Sequence, residues 1–337
     1  MGTSIQAQDT ALAFDNRFLE LIILPTEQCN FRCTYCYEDF KDGKISSDVV
    51  QGIKRLLEER AHELDLLKIS WFGGEPLLAK RQILDISYFA KELSEKHGFT
   101  FFSEMTTNGY LLDQSTAEEL DKLNLIKYQI SLDGYGESHN KTRKKANGTG
   151  SFDQIWNNLV KIKNSNISSE IMLRVHYSPS NLKEIDFLIA QLKDALLTDS
   201  RFSILFRSIG KMGGENDNEI EEVNRVQQTL ANSFLSKKVG NQSSVNQHNE
   251  LENVPMCYAS RMNSFVIRAN GDVNKCTVSL DQEYNRVGRI TSNGSLNLDK
   301  AKMLRWAKGV IDENIDGQQC PNKYFSADTI PVVTIEP

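Results

Sequence analysis

Short apolar runs alternate with segments of helical periodicity over the first 210 residues of the chain. The apolar runs predict six strands, at residues 18–25, 67–72, 100–105, 126–132, 170–177 and 201–207. The intervening segments predict helices, at residues 46–64 with Ser47 as N-cap, 81–97 with Gly98 as stop signal, 114–123, 152–164 and 182–197. Strict alternation of strands and helices requires parallel strands joined by right-handed crossovers.

Polar or glycine-containing motifs follow four of these strands in turn. They are a three-cysteine loop, then Gly73-Gly74-Glu75-Pro76, Thr106-Thr107-Asn108-Gly109 and Asp133-Gly134. The loops of many strands converge on one mouth in a barrel, whereas a doubly wound open sheet concentrates its site at one switch point. The pattern therefore favours an α/β fold of the partial (β/α)6 barrel type, although six strands are fewer than the usual eight.

The chain changes character after residue 210. Composition predicts a linker over residues 210–218, a helix over 219–235 and a polar, mobile segment over 238–253. A hairpin follows, with arms at 264–268 and 273–278 around a turn at 270–272, and then a helix over 301–310. We therefore expect four regions: a flexible lead-in at 1–17, a barrel at 18–210, a linker and helix at 211–254, and a small α+β domain at 255–337.

Composition excludes several functional classes. The net charge of -6 argues against broad attraction to nucleic acid, and the basic cluster at residues 141–145 is too short to change that expectation. No run approaches the ~18 apolar residues of a membrane span, and the N-terminus lacks a secretory signal pattern. We expect a cytoplasmic protein that binds neither nucleic acid nor membrane.

Three of the six cysteines, Cys29, Cys33 and Cys36, lie within eight residues directly after the first strand. Disulfides are the weaker interpretation in a reducing cytoplasm, and Cys33 and Cys36 are too close together to pair easily with distant partners. Three thiolates leave one position open on a tetrahedral zinc or on a four-iron cluster, which favours chemistry at a metal centre. A redox dithiol and a structural zinc site remain as alternatives.

The spacing CxxxCxYC resembles the signature of the radical S-adenosylmethionine (SAM) enzymes. The motifs at residues 73–76, 107–109 and 131–134, the run Ser138-His139-xx-Thr142-Arg143 and Gly150-Ser151-Phe152 resemble the subfamily that carries a SPASM or twitch extension, across roughly residues 18–325. The resemblance implies a partial radical SAM barrel with a twitch-like or degenerate SPASM extension. It further implies that Cys29, Cys33 and Cys36 hold a 4Fe-4S cluster whose fourth iron binds the amino and carboxylate groups of SAM.

The same resemblance gives expected roles to other side chains. Tyr35, with Phe31 and Tyr37, would shield the cluster from water, or these rings are plain core. The backbone of Gly73 and Gly74 would approach SAM closely, and Glu75 would assist it or cap the next segment. Asn108, Ser131 and Asp133 would contact ribose or carboxylate oxygens. Arg143 would pair with the SAM carboxylate or belong to a solvated basic loop, and His176 would contact the nucleoside or be a core histidine.

Cys257, Cys276 and Cys320 resemble the ligands of an auxiliary cluster. Full SPASM domains carry about seven cysteines for two clusters, whereas this region has three, which indicates at most one auxiliary Fe-S cluster with an open site. Such a site would bind substrate or accept an electron from a product radical. The alternatives are that some of these thiols are free, or that one donates a hydrogen atom, as in peptide epimerases.

The implied function is a radical SAM maturase that cleaves SAM to a 5'-deoxyadenosyl radical and abstracts hydrogen from a ribosomally made precursor peptide. A side-chain cross-link of the cyclophane or thioether type is the preferred outcome, with epimerisation or sulfatase-type oxidation of Ser or Cys as alternatives. The implied partners are the precursor peptide, an electron donor such as flavodoxin or ferredoxin, and a separate leader-peptide recognition protein. An Fe-S redox sensor and a structural zinc barrel are the alternatives outside this class.

Overall fold

A single ten-stranded sheet organises the computed structural model, which describes residues 5–240 and 256–326. The strands of the sheet and of a separate two-stranded ladder are β1 (Phe18–Ile23), β2 (Phe31–Cys33), β3 (Leu66–Trp71), β4 (Thr100–Thr107), β5 (Leu125–Leu132), β6 (Arg143–Lys145), β7 (Glu170–Tyr177), β8 (Phe202–Ser208), β9 (Ser264–Ile267), β10 (Asp272–Asn274), β11 (Arg286–Ile290) and β12 (Leu296–Leu298). The helices are α1 (Ile5–Phe14), α2 (Ser47–Arg60), α3 (Lys80–His97), α4 (Gln114–Asp121), α5 (Glu137–Thr142), α6 (Phe152–Lys163), α7 (Leu182–Ala195), α8 (Arg225–Val239), α9 (Lys300–Trp306), α10 (Lys308–Ile311), α11 (Ile315–Gln319) and α12 (Lys323–Ser326).

Six strands of the sheet are parallel and follow one another in chain order, β1-β3-β4-β5-β7-β8. Each new strand is added on the same side of the previous one, so the order never reverses as it does in a doubly wound sheet. Right-handed crossovers in one direction place the helices on one face and curve the sheet toward a barrel. The predicted six-stranded partial barrel is confirmed, and the carboxyl ends of its strands lie at one mouth.

Local sequence signals fix the ends of the helices between these strands. The hydroxyl of Ser46 accepts a hydrogen bond from the Val49 amide, so Ser46 is the N-cap of α2, and the predicted Ser47 is the first helical residue. Helix α3 ends at Gly98, whose φ of 80° is left-handed, as the stop signal predicts. The apolar face of α2, with Val49 and Ile53, is buried against the sheet cluster.

The C-terminal region continues the barrel sheet. β9 pairs in parallel with β1, and β9 to β12 form an antiparallel meander beyond it. The predicted hairpin is confirmed as β9 and β10, but Cys276 lies after β10 and not within its arm. The strand ends there because the amides of Lys275 and Cys276 donate to the side chain of Asn285.

Two further elements differ from the sequence prediction. The expected lead-in contains α1, and the Asn263 side-chain amide donates to the Leu12 carbonyl at the end of that helix. Helix α8 begins at Arg225, six residues later than predicted, because Asn224 and Gln227 form a reciprocal capping box there. Most of the segment predicted to be mobile, residues 238–253, lies outside the described residues. Within the ranges that the structure describes, no helix has both the length and the apolar character of a membrane span.

A buried ion pair joins the cysteine loop to the C-terminal hairpin. Arg268 donates from Nε to Glu27 Oε1 at 3.0 Å and from Nη2 to Glu27 Oε2 at 2.5 Å. The Glu27 carboxylate is fully buried, two residues before Cys29. The pair therefore ties the start of the cysteine loop to the turn between β9 and β10.

Replacing Arg268 should destabilise the whole fold. In Arg268→Met the buried Glu27 carboxylate loses its cation, and we expect the free energy of unfolding to fall by about 3 to 5 kcal/mol. Urea unfolding followed by circular dichroism measures it. The matched control is Arg289→Met, whose partner Asp272 lies 2.9 Å away but whose own side chain is 61% exposed, so a loss below about 1 kcal/mol is expected. Equal losses in the two variants would contradict a structural role for the buried pair.

Candidate active site

A cavity of about 560 Å³ opens at the carboxyl ends of the parallel strands. Ten of the twelve residues predicted for the cluster and SAM line it: Cys29, Cys33, Cys36, Tyr35, Gly73, Gly74, Asn108, Ser131, Arg143 and His176. The other two, Glu75 and Asp133, are fully buried behind its wall. The mouth predicted from the strand-end motifs is therefore one continuous site.

A short antiparallel ladder, missed by the sequence analysis, places Arg143 beside the cysteine loop. Strand β2 pairs with β6 so that Cys33 lies opposite Arg143. Arg143 is 7% exposed, and its guanidinium carbon lies 5.9 Å from the ring centre of Phe31. The alternative of a solvated basic loop therefore does not describe Arg143, whereas Lys144 and Lys145, its neighbours in β6, are more exposed.

Burial dominates the electrostatics of the cysteine loop. It raises the pKa of the Cys29 thiol to about 12 and that of Cys36 to about 11, and it also raises the pKa of Cys33, against the attraction of Arg143. Thiols of this kind become ligands only when a bound cation displaces their protons. The loop is therefore suited to a metal centre and is a poor reactive dithiol.

The two glycines after β3 allow the backbone to pack tightly against the start of the cysteine loop. A Cβ atom on Gly73, where φ is 110°, would lie 2.3 Å from the Thr26 carbonyl oxygen, and one on Gly74 would lie 2.6 Å from that of Gln28. The Glu75 amide also donates to the Gln28 carbonyl at 3.0 Å. Besides lining the cavity, these glycines therefore position the segment that leads into Cys29.

Glu75 connects two strand ends and does not face the cavity. Its carboxylate accepts from the Leu77 amide at 3.1 Å, from the Thr107 hydroxyl at 2.8 Å and from the Asn108 amide at 2.8 Å. Burial raises the pKa of this carboxyl, and the hydrogen bonds act against that shift. The capping alternative for Glu75 accounts for all of these contacts.

Asp133 organises a buried hydrogen-bond network under the cavity floor. Its Oδ1 accepts from the Tyr35 hydroxyl at 2.9 Å and lies 3.1 Å from His176 Nδ1, while Oδ2 accepts from the Thr142 hydroxyl at 2.6 Å. Arg143 donates to the Tyr35 oxygen at 2.8 Å. Burial opposes ionisation of Asp133, but the hydrogen bond from His176 and the nearby cations outweigh it and lower its pKa.

The remaining predicted contacts are Asn108 and Ser131. The Asn108 side chain donates to Asn30 Oδ1 at 2.7 Å, and its own Oδ1 accepts from the Tyr110 amide at 2.9 Å. Asn108 thus fixes the strand-end loop against the cysteine loop, which is one of the two roles expected for it. Ser131 lies at the end of β5 and lines the cavity.

Several lining residues were missed by the sequence analysis. They include Glu38, Phe72, Arg174, Arg207, Lys211 and Met212. Residues 210–218, predicted to be a linker, pack on the cysteine loop: a Cβ on Gly214 would lie 2.4 Å from the Cys36 carbonyl oxygen, and Asn216 donates to the Thr34 carbonyl. An available signal was the charge of Arg174 in the middle of a mainly apolar parallel strand, where buried positions are normally uncharged.

The three C-terminal cysteines come from separate segments. Cys257 lies just before a short 3-10 helix at Tyr258–Ser260, Cys276 follows β10, and Cys320 follows α11. Burial raises the pKa of Cys257 to about 11, and the charges of Cys276 and Cys320 add to the shift; Cys257 and Cys276 are half-buried, whereas Cys320 is exposed. The Cys257 amide donates to the Gln318 carbonyl, which connects two of the three segments.

The donor chemistry fits a cluster with SAM in the main cavity. Three thiols and a buried Arg143 whose Nε has no hydrogen-bond partner line one wall. In residues 5–240 and 256–326, no three Cys, His, Asp or Glu side chains converge as ligands of one metal ion. In an Fe-S cluster each thiolate is a ligand of a different iron, so such convergence is not required.

The glycine after β3 provides a test of this geometry. Gly74→Ala places a methyl group against two backbone carbonyls, so the Cys29 segment must shift. We expect SAM cleavage, measured as 5'-deoxyadenosine formed per minute, to fall by about 100-fold, the typical effect of a ~1 Å misplacement. Gly43→Ala is the control, because no atom lies within 4 Å of its added Cβ. If the two variants were equally active, the positioning role of Gly74 would be wrong.

Residues 23–189 match the model of the Radical SAM superfamily. The chain is 32% identical over 152 residues to the cysteine-type anaerobic sulfatase-maturating enzyme of Clostridium perfringens, covering 41% of this chain and 39% of that protein. It is 25% identical over 224 residues to the GTP 3',8-cyclase of Haemophilus influenzae, covering 66% and 62%. The chain thus spans less than two thirds of the length of these relatives.

The fold is similar to two solved structures. It aligns with native anSMEcpe with bound AdoMet and Cp18Cys peptide at a TM-score of 0.65 and 20% identity, covering 91% of this chain and 87% of that one. It aligns with Streptococcus suis SuiB at a TM-score of 0.59 and 17% identity, covering 90% and 70%. At these identities the similarity establishes the fold.

Proposed function

We propose, for a chain whose residues 23–189 are a domain of the Radical SAM superfamily, that this enzyme is a maturase that modifies a ribosomally made peptide. The observation that carries the proposal is the joint presence of the three thiols, Ser131 and Arg143 on one cavity at the barrel mouth. Support for a peptide substrate comes from the similarity to a sulfatase-maturating enzyme and from the fold shared with SuiB, one structure of which contains the precursor peptide SuiA.

The superfamily uses SAM and a 4Fe-4S cluster, and we assign the cluster to Cys29, Cys33 and Cys36. Arg143 is placed to receive the carboxylate of SAM, because its Nε is buried and lacks a partner. Ser131 and the backbone after β3 supply further polar groups on the same cavity. When bound, the reduced cluster would supply the electron that cleaves SAM, and SAM would supply the 5'-deoxyadenosyl group that removes a hydrogen atom from the substrate.

The chain holds this site rigid through buried polar residues. Asp133 orients Tyr35 and His176, and Tyr35 in turn accepts a hydrogen bond from Arg143. Glu75 locks the loop after β4 to the segment after β3. The aromatic rings of Phe31, Tyr35 and Tyr37 line the cavity, and we assign to them the exclusion of water around the cysteines.

We further propose that Cys257, Cys276 and Cys320 bind one auxiliary Fe-S cluster. Two hydrogens must leave the peptide when a cross-link forms: one as the abstracted atom, the other as a proton and an electron. An auxiliary cluster would give that electron an acceptor within the same chain, and this favours a cross-link over an epimerisation. An epimerisation returns a hydrogen atom to the peptide and removes no electron overall.

The test is anaerobic reconstitution with iron and sulfide, followed by reduction with dithionite in the presence of SAM. We expect 5'-deoxyadenosine to form and, with the precursor peptide encoded nearby, a product lighter by two hydrogens. An unchanged mass with one deuterium gained in heavy water would identify an epimerase. Absence of 5'-deoxyadenosine from iron-replete protein would overturn the proposal.

A second candidate is a sulfatase-type maturase, which oxidises one Ser or Cys side chain. The specific observation in its favour is the 32% identity to the sulfatase-maturating enzyme. Oxidation of Ser to an aldehyde also removes two hydrogens, so mass alone does not separate it from a cross-link. A carbonyl-reactive hydrazide labels the aldehyde product and leaves a cross-linked peptide unlabelled.

A further inference from the structure

The charged lining of the cavity is opposite in sign to the chain as a whole. The chain has a net charge of -6, but the charged residues that line the cavity are four cations, Arg143, Arg174, Arg207 and Lys211, and one acid, Glu38. Such a wall raises the local concentration of anions. The wall is therefore suited to a negatively charged ligand.

Arg143 is accounted for by the cysteine loop and SAM, whereas the other three cations belong to a different wall. Arg174 and Arg207 lie on β7 and β8, and Lys211 lies in the segment after β8. These strands are at the opposite end of the six-strand order from β1, which leads into the cysteines. The three cations are thus separate from the proposed cluster ligands.

The strand register places the two arginines on the same face. His176 lies opposite Arg207 across the β7–β8 pair, and Arg174 is two residues before His176. Side chains two residues apart on a strand, and side chains paired across strands, point to the same face. Arg174, His176 and Arg207 therefore all face the cavity, in agreement with its lining.

Neither guanidinium has an acidic partner. In the described ranges no carboxylate lies within ion-pair distance of Arg174 or Arg207, and Arg174 Nε is buried without a hydrogen-bond partner. Burial and, after it, the charge of Arg207 lower the pKa of Arg174. Arg174 is half-buried, whereas Arg207 is exposed. An anion bound between them would stabilise the half-buried cation, which otherwise lies near a second cation.

SAM is a poor candidate for that anion. Its sulfonium and ammonium groups are positive and its single carboxylate suits Arg143, so further cations near it would be repulsive. A second molecule in the cavity is the better source of the negative charge. If the proposed function holds, that molecule is the peptide.

We propose that Arg174 and Arg207, with Lys211 at the rim, bind a carboxylate of the peptide substrate, from an Asp or Glu close to the residue that is modified. A guanidinium pairs with a carboxylate through two parallel hydrogen bonds, which fixes orientation as well as position. The enzyme then selects peptides with an acidic residue near the modified position and holds that segment against the barrel mouth. This inference rests on the proposed function.

The experiment is a selection from a random peptide library displayed on its encoding mRNA. The bait is the full-length chain, reconstituted anaerobically with its clusters and saturated with SAM. We expect Asp or Glu to be enriched at one position with the wild-type chain, and the enrichment to vanish with Arg174→Gln and weaken with Arg207→Gln. The control is Arg81→Gln, an exposed arginine of α3 outside the cavity, which should select as the wild type does.

A binding cycle then locates the contact. For an enriched peptide, we expect Arg174→Gln to weaken binding about tenfold or more by fluorescence anisotropy, the effect of losing a charge-assisted hydrogen bond. Changing the peptide's acidic residue to its amide should cause the same loss in the wild-type chain and little further loss in the variant. Additive losses would overturn the proposed pairing.

Separate measurements distinguish this inference from the proposed function. SAM affinity by calorimetry should be unchanged in Arg174→Gln and Arg207→Gln, and a large loss would assign the arginines to SAM and overturn the inference. Selection of peptides without acidic enrichment would also overturn it. GTP is the alternative anion, because one relative is a GTP 3',8-cyclase; binding of GTP that depends on Arg174, with no peptide selected, would overturn the inference as well. Formation of 5'-deoxyadenosine by the wild-type chain tests the proposed function alone.

Discussion

Cys33→Ala should abolish 5'-deoxyadenosine formation and remove about four irons per chain from the reconstituted protein. Cys33 lies at the centre of the cysteine loop, between Cys29 and Cys36, and faces Arg143 across the β2–β6 ladder. With one ligand missing, the remaining two thiolates do not retain the cluster. The cavity then loses the centre at which SAM would be reduced. We expect the same result for Cys29→Ala and Cys36→Ala.

The loop itself provides the control for this experiment. Thr34→Ala changes an exposed side chain between Cys33 and Cys36, so iron content and 5'-deoxyadenosine formation should remain within about twofold of the wild type. Iron is measured by a colorimetric assay on anaerobic protein and the nucleoside by chromatography. Full iron content in Cys33→Ala would remove the basis for assigning the cluster to this loop.

The barrel was predictable because its strands alternate with helices and four of the six end in an unusual motif. Strand β7 has the predicted bounds of residues 170–177, and the order β1-β3-β4-β5-β7-β8 follows from alternation with helices. Parallel strands bring their carboxyl ends together, so the sequence alone placed the cysteines, Ser131 and Asn108 at one mouth. Glu75 and Asp133 lie behind the cavity wall, where their carboxylates hold neighbouring strand ends; for Glu75 this agrees with the capping alternative.

Short strands and long-range packing were not predictable. β2 and β6 are three residues each, too short to show periodicity, and their pairing depends on contacts between distant parts of the chain. The packing of Gly214 on Cys36 could not be predicted either. A run of Gly, Asn and Asp predicts a linker whether or not the segment packs against the rest of the protein. The charge of Arg174 was visible, but the face it occupies depends on the register of β7 with β8.

The second large effect is expected at the C-terminal cysteines, where cleavage of SAM should be separated from completion of the product. Asn285 fixes the backbone around Cys276, because its Oδ1 accepts from the Cys276 amide at 2.8 Å and its Nδ2 donates to the Cys276 carbonyl at 2.8 Å. Cys276→Ser therefore removes a sulfur from a segment whose shape is set by other groups. We expect this variant to lose the auxiliary iron only.

Cys276→Ser should still form 5'-deoxyadenosine within about threefold of the wild-type rate, because the main cavity does not include the C-terminal cysteines. The yield of modified peptide, in contrast, should fall to less than about 1% of the wild-type yield. The reason is electronic: without an acceptor, the substrate radical cannot give up the electron that completes a cross-link. Cys257→Ser and Cys320→Ser should behave alike if all three thiols are ligands of one cluster. One of the three variants could instead keep all its iron, and its only defect could be that the peptide gains no deuterium in heavy water. That cysteine would then be a hydrogen donor, and the auxiliary-cluster assignment would be wrong.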